Sequence, residues 1–376
     1  MKNPFITTGY EGPEYFCDRE KETEYITTLL KNGNNIALIS PRRIGKTDLI
    51  RHCFAQKEIQ SNYYVFVIDI YSTTTLNDFV NTLGKNILKE LRSKGKTVWN
   101  HFVTQLKSLK SEISFDSNGQ PSWNIGFGAI ENPATTLEEI FSYMNSADKH
   151  CLIAIDEFQQ ISKYPDANNV EATLRTYIQQ CTNANFVFSG SQRHIMDNMF
   201  NSASRPFYQS VTTINLSPIP LDKYKGFVRN NFEKSKRHID EKVIEETYTR
   251  FRSTTAYMQK IMNLSFASTM EGETCTIETL DSTINTLLDF SSDTYESLLY
   301  QMPEKQKNVL FAIAKEQYAK NISSAEFVKK NNLLSASSVV SATKGLLDKD
   351  LITQDKNTYM VYDQFFVLWL KRKGII

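Results

Sequence analysis

Residues 36–50 read IALISPRRIGKTDLI, and the reading of this stretch decides the fold class. IALIS at 36–40 is a short apolar run stopped by Pro41, which predicts a buried strand. DLIRHCFAQKEIQ, from Asp48 onward, has the spacing of a helix. Between them, Ser40-Pro41-Arg42-Arg43-Ile44-Gly45-Lys46-Thr47 fills the phosphate-loop string GxxxxGK[ST] at every position except the first glycine. Backbone amides of the turn and of the helix start, out to Asp48, can cradle phosphate oxygens, and Gly45 lets the backbone approach closely. The Lys46 ammonium neutralises β and γ phosphates, and the Thr47 hydroxyl is a magnesium ligand. GKT alone is a common tripeptide. Its place directly after a buried strand and before a helix gives it weight.

A second strand, in CLIAIDEF at 151–158, delivers Asp156 and Glu157 at its end. That is the Walker B arrangement, in which Asp156 holds the metal directly or through water and Glu157 polarises the attacking water. Two adjacent acids also suit a helix start. A third strand, ANFVFSGS at 184–191, ends in small residues and runs into Gln192 and Arg193. A polar side chain there can sense the γ-phosphate, as in additional-strand NTPases. Ser191 is the first choice, Gln192 its rival, and a plain loop the alternative to both. Arg193 either faces the nucleotide or forms a salt bridge. The set predicts ATP and Mg2+ as cofactors, with Lys46, Glu157 and Ser191 catalytic and Thr47 and Asp156 on the metal.

Working outward, REKETEYITTLLKNGN at 19–34 predicts a helix ended by Gly33. YYVFVIDI at 63–70 is a further strand, and TTINLSPIP at 212–220 a last one whose prolines mark a boundary. Short buried strands alternating with helices predict an α/β core with a parallel sheet over 1–220. Basic helices at 75–110 and a hairpin around Asn118-Gly119 form an insertion at about 75–130. Residues 221–300 pattern as helices throughout and predict a helical lid domain. Beyond Pro303, KQKNVLFAIAKEQ, SAEFVKKNNL and SASSVVSATKGLLDKDLITQDKNTYMV have the order of a winged helix-turn-helix, over 301–376.

Composition narrows the class. Lys and Arg number 43 against 42 Asp and Glu, a formal charge of +1, so nothing global argues for a nucleic-acid or membrane partner. The 5 cysteines are odd in number and form no CxxC pair, which argues against a disulfide scaffold or zinc knot and for a reducing compartment. No apolar run reaches the roughly 18–20 residues of a membrane span, and MKNPFITTGYEGPEYF lacks the apolar segment of a signal peptide. A cytoplasmic protein is expected. His52, His101, His150, His194 and His238 are scattered and read as surface or packing residues.

With these motifs in hand, the chain resembles the archaeal-type ATPase family, a P-loop group near the AAA+ and STAND ATPases, and looks like one of its bacterial members. The resemblance rests on NPF near the start, YFCDRE at 15–20, SPRRIGKT at 40–47, AIDEFQQI at 154–161, FSGSQRHIMDNMF at 188–200 and YDQFFVLWL at 362–370. It implies an ATPase core, a helical region and a C-terminal winged helix. It also implies that Phe16 or Arg19 lies by the adenine. Locally, Phe16 equally suits burial against the first helix, and Arg19 pairing with Asp18, Glu20 or Glu22. Two places depart from the family pattern. Ser40 stands where the loop usually begins with glycine, and Gln209-Ser210 replace a GR pair after RPFY, which puts an arginine finger there in doubt. Arg205 is left as a finger toward a neighbouring subunit or as a surface ion pair. Arg252, in RFRSTTAYMQKIM at 250–262, is a sensor-2-like contact or a helical surface residue.

No second constellation for small-molecule chemistry is found, so ATP turnover is expected to switch a multidomain protein through a protein partner or self-association. The competing reading is an ATP-controlled DNA-binding regulator. Its recognition helix would lie at SASSVVSATKGLL, where Ser335, Ser337, Ser338 and Thr343 can meet the duplex but only Lys344 is basic.

Overall fold

The computed structural model describes residues 2–92, 94–106, 108, 130, 132–355 and 357–376. They form two compact units, Thr8–Ile219 and Pro220–Ile376, the latter including the residues up to Thr7.

The first unit runs α1 (Glu20–Lys31), β1 (Ile36–Ile39), α2 (Lys46–Phe54), α3 (Lys57–Asn62), β2 (Tyr63–Asp69), α4 (Leu76–Arg92) and α5 (Lys96–Gln105). It continues with α6 (Pro133–Ser146), β3 (His150–Asp156), α7 (Ala167–Gln180), β4 (Ala184–Gly190), α8 (Arg193–Asn201) and β5 (Thr212–Asn215). The strands pair in the order β2-β3-β4-β1-β5, every pair parallel. β4 therefore stands between the Walker A strand and the Walker B strand, as an additional-strand core requires. β1 and β4 are buried at every residue, and their alternating side chains feed two separate cores. Ala37, Ile39, Ile153 and Phe188 join the core on one face; Ile36, Leu38, Leu152 and Val187 join the other. At roughly 1.5–3 kcal/mol per fully buried large apolar side chain, this two-sided burial fixes strand register.

The single helix expected from DLIRHCFAQKEIQ is two, α2 and α3. Gln56 adopts extended backbone between them, and its side-chain amide caps the His52 carbonyl at 3.1 Å. The basic stretch forms α4 and α5, whose apolar faces, including Leu83, Ile87, Trp99 and Phe102, enter the core. The hairpin expected around Asn118-Gly119 lies outside the described residues.

The second unit runs α9 (Leu221–Lys234), β6 (His238–Ile239), α10 (Glu241–Arg250), α11 (Thr255–Ser268), β7 (Thr274–Cys275) and α12 (Ile277–Gln301). Then follow α13 (Glu304–Glu316), β8 (Ala319–Lys320), α14 (Ala325–Lys330), α15 (Ala336–Asp348), β9 (Ile352–Asp355), β10 (Thr358–Val361) and α16 (Gln364–Arg372). α13 to α15 with the antiparallel sheet β8-β10-β9 make the winged helix. α16 returns to α12, where Trp369 Nε1 donates to Ser292 Oγ at 3.0 Å and Arg372 pairs with Asp289 at 2.7 Å. The helical segment and the winged helix fall in one compact unit, with α16 packed on α12. Residues 2–7, expected with the α/β core, belong here too. Phe5 is fully buried among the rings of Phe227, Phe232 and Phe266, and Asn3 donates to the Asn263 carbonyl at 2.8 Å. Among the described residues no helix is long and apolar enough to cross a membrane.

Candidate nucleotide site

The carboxyl ends of β1, β3 and β4 bring the three predicted motifs to one edge of the sheet, where open parallel sheets place their ligands. The loop from β1 to α2 turns through left-handed backbone at Arg43 (φ 65°) and Gly45 (φ 93°). A Cβ at Gly45 would meet nothing within 4 Å, so glycine is needed there for its backbone angle rather than for space. Ser40 is buried and does not adopt left-handed backbone, which explains why serine serves where glycine is usual. Ile44 is buried in the core, so its backbone alone is available to a phosphate.

Lys46 begins α2 and is only 6% exposed. Its Nζ donates to the carbonyls of Ser40 and Pro41, at 3.0 Å each. Burial pushes its pKa down; Glu157 and Asp156 oppose the shift and Arg42 adds to it. The next residue, Thr47, donates its hydroxyl to Asp156 Oδ2, joining the start of α2 to the end of β3. Asp156 Oδ1 accepts the Glu157 backbone N–H at 3.0 Å. Asp48, partly buried on α2, has its carboxyl pushed up by burial, against Arg51.

Glu157 sits in left-handed backbone (φ 57°) at the head of a short 3-10 turn, Phe158–Lys163. Its Oε2 accepts the Ser191 hydroxyl at 2.8 Å and the Gln159 amide. Ser191 Oγ in turn accepts Arg42 Nε at 3.2 Å, and Arg42 lies over the Tyr71 ring at 5.6 Å. Of the two rivals, Ser191 is the one joined to Glu157; Gln192 stands at the N-cap position of α8 without a side-chain capping bond. Arg193 turns to the end of β5, donating to Asn215 at 3.2 Å.

This donor set suits ATP with magnesium. A threonine hydroxyl and an aspartate oxygen already brought together are the protein ligands that magnesium takes alongside phosphate and water. The loop amides ahead of α2 have no side-chain cap and match an anion.

A family model described as an ATPase domain predominantly from Archaea matches residues 16–261. The chain belongs to that family. In this archaeal-type ATPase a second model, a probable winged helix domain, matches residues 293–372. An uncharacterised ATP-binding protein of Methanocaldococcus jannaschii is 27% identical over 156 residues, 39% of this chain and 43% of that relative, so the match spans less than half of the relative. Among solved structures, a Walker-type ATPase of Pyrococcus abyssi superposes with a TM-score of 0.66 at 16% identity, covering 98% of this chain and 99% of that one. The ORC2 protein of Aeropyrum pernix, solved in ADPNP–ADP complexes, gives 0.57 at 11% identity over 100% and 99%. The ORC1 protein of the same organism, solved with DNA, gives 0.54 at 10% over 96% and 94%. At these identities the likeness is one of fold alone, that of a P-loop ATPase core followed by a winged helix.

The remaining candidates make the following contacts. Phe16 is partly buried against the core beside α1 and α2, with its ring stacked on His52 at 4.3 Å and 13°. Tyr10 closes the set, with its hydroxyl 2.9 Å from His52 Nδ1. Arg19 is 3% exposed in left-handed backbone; its Nη1 donates to Glu22 at 2.8 Å, and its Nη2 is buried without a partner. Arg19 thus makes an ion pair with Glu22, and Phe16 is half-buried with its ring on His52. Arg205 pairs with the fully buried Glu171 and donates to Asn168 at 2.8 Å, at the wall of a cleft of about 550 Å³ that contains no Walker residue. Arg252 is not helical. It lies in a left-handed turn (φ 52°) over the Tyr318 ring at 4.6 Å and donates to the Gln317 carbonyl at 3.1 Å.

Three residues at the site were not singled out in the sequence. Gln159 is 2% exposed and joins Glu157 to Ser191. A Cβ on Gly190 would stand 2.7 Å from the Gln159 Oε1 and 2.4 Å from the Met196 sulfur, so glycine is needed there for space. Asp69 ends β2 in register with Asp156. The signal for Asp69 was available: YYVFVID and CLIAID are two strand-like runs that end in the same acid.

Proposed function

We propose that this chain binds ATP with magnesium and hydrolyses it, and that turnover drives conformational switching of the multidomain protein. The observation that carries the reading is the pair of links across three strand ends: Thr47 to Asp156, and Ser191 to Glu157. The loop Ser40–Asp48 holds the phosphates through its amides from Arg42 onward, since Pro41 has no N–H and that of Ser40 pairs with the Gly190 carbonyl, and Lys46 neutralises the β and γ oxygens. Thr47 and Asp156 hold magnesium, which when bound stabilises charge on the transferring phosphoryl group. Glu157 orients the attacking water and takes its proton. Ser191, on the strand between the two Walker strands, contacts the γ-phosphate. Phe16 or Arg19 lies by the adenine. All five cysteines are free and buried, which supports a reducing, cytoplasmic setting.

The output is assigned to contact with a protein partner or a second copy through the winged helix. Leu334 and Val340, before and on α15, are 74% and 59% exposed, and Lys344 is the one basic residue of that helix. DNA is the alternative, supported by fold likeness to an initiator solved with DNA. The test is Mg-dependent ATP turnover of wild type and Glu157→Gln, with and without mixed duplex DNA. Turnover abolished by the substitution supports the reading. Stimulation by duplex moves the output to DNA. ATP binding without turnover in wild type rejects the enzyme.

A further inference from the structure

The Walker B carboxylate is held by a residue that neither Walker motif contains. Gln159 is almost fully buried under the end of β4, and both ends of its amide are engaged. Its Nε2 donates to Glu157 Oε2 and lies 3.5 Å from Ser191 Oγ; its Oε1 accepts the Ser191 backbone N–H at 3.3 Å. Ser191 Oγ donates to the same Glu157 oxygen at 2.8 Å. Both of these side-chain bonds to Glu157 fall on Oε2.

Two features show that this space is not merely filled. Glu157 has left-handed backbone, which side-chain-bearing residues rarely adopt and which persists where surrounding contacts hold it. The end of β4 closes on the same amide: a Cβ on Gly190 would stand 2.4 Å from the Met196 sulfur and 2.7 Å from Gln159 Oε1. If volume alone were required here, an apolar residue would fill the site without needing partners for a buried amide.

We propose that Gln159 is a positioning residue for hydrolysis: it anchors one oxygen of Glu157 to the end of the sensor strand, so that the other oxygen is aimed at the attacking water. The role rests on the ATPase reading above. It ties the state of Ser191 to the aim of Glu157, so γ-phosphate sensing and base orientation change together.

The experiment uses the full chain and measures Mg-ATP turnover, ATP affinity by titration and thermal stability for wild type, Glu157→Gln, Gln159→Met and Gln159→Ala. Methionine keeps the volume and removes the donor. Gln159→Met is expected to lower kcat roughly tenfold or more, the effect of losing a hydrogen bond to a charged group, while ATP affinity stays within about twofold and the melting temperature stays close to wild type. Gln159→Ala should show the same split between kcat and affinity. Wild-type kcat in Gln159→Met would reduce the residue to a space filler and overturn the proposal, as would equal losses of kcat and affinity in both variants. If wild type does not turn over, or Glu157→Gln leaves turnover intact, the ATPase reading itself is what has failed, and the positioning role goes with it.

Discussion

In the α/β unit, polar groups at the site are taken out of water: Lys46 and Asp156 are each 6% exposed and Gln159 is 2% exposed. In the winged helix the reverse holds, with Leu334 and Val340 left 74% and 59% exposed. Each arrangement costs stability or solubility relative to the opposite choice. A buried ammonium between two acids is suited to a highly charged small ligand, whereas exposed aliphatics are suited to another macromolecule. Under the function proposed above, chemistry is assigned to the first unit and contact to the second.

The comparison can be broken most directly at Lys46. Lys46→Met is expected to reduce turnover by roughly 10²–10³-fold. Without nucleotide its melting temperature should not fall, because burial already disfavours the charged form of the lysine. A stability loss as large as the activity loss would show that the ammonium is structural.

Arg205 sharpens the same contrast from the stability side. Arg205→Ala leaves Glu171 buried without its counter-charge and is expected to cost about 3 kcal/mol. Burial pushes the Glu171 carboxyl up and Arg205 opposes it. A raised carboxyl favours folding below the ordinary value of 4.5, and that contribution is lost as pH rises through the raised folded value. Removing Arg205 raises the carboxyl further, so the deficit in melting temperature should be largest near neutral pH and shrink toward pH 4.5. A deficit independent of pH would mean that packing, not charge, is lost.

Gly190→Ala is expected to cost about 1–3 kcal/mol through overpacking against Met196 and Gln159, and to slow turnover. Normal turnover would show that Gln159 can shift freely. The smallest effect belongs to the other unit. Leu334→Ser and Val340→Ser should change stability by no more than about 0.5 kcal/mol and leave turnover intact. They should weaken association, read by sedimentation or by partner capture; unchanged association would remove the contact role from this face.

Residues 36–50 and the acids after CLIAI carried most of the fold, because strand burial and loop chemistry are local and leave a pattern in consecutive positions. The winged helix was legible for the same reason. Gln159 was not: two residues after Asp156-Glu157 it reads as an ordinary polar position, and its partners depend on left-handed backbone at Glu157 and on a strand end 32 residues away. That Ser191 rather than Gln192 bonds Glu157 likewise depends on the direction in which β4 ends. Arg252 read as helical because Arg250 and the TAYMQKIM stretch flank it with helix formers, yet two successive left-handed residues, Arg252 and Ser253, break the helix there.

Residues 2–7 pack into a core otherwise built from residues 220 onward. Phe5 is synthesised long before Phe227, Phe232 and Phe266 exist to surround it. At roughly 5–20 residues per second, an apolar segment waits on the order of ten seconds or more while the whole α/β unit is made and has time to fold. The C-terminal unit therefore matures only after the nucleotide-binding unit, and a chain interrupted between the two leaves Phe5 without the rings that cover it, a natural mark for chaperones and proteases.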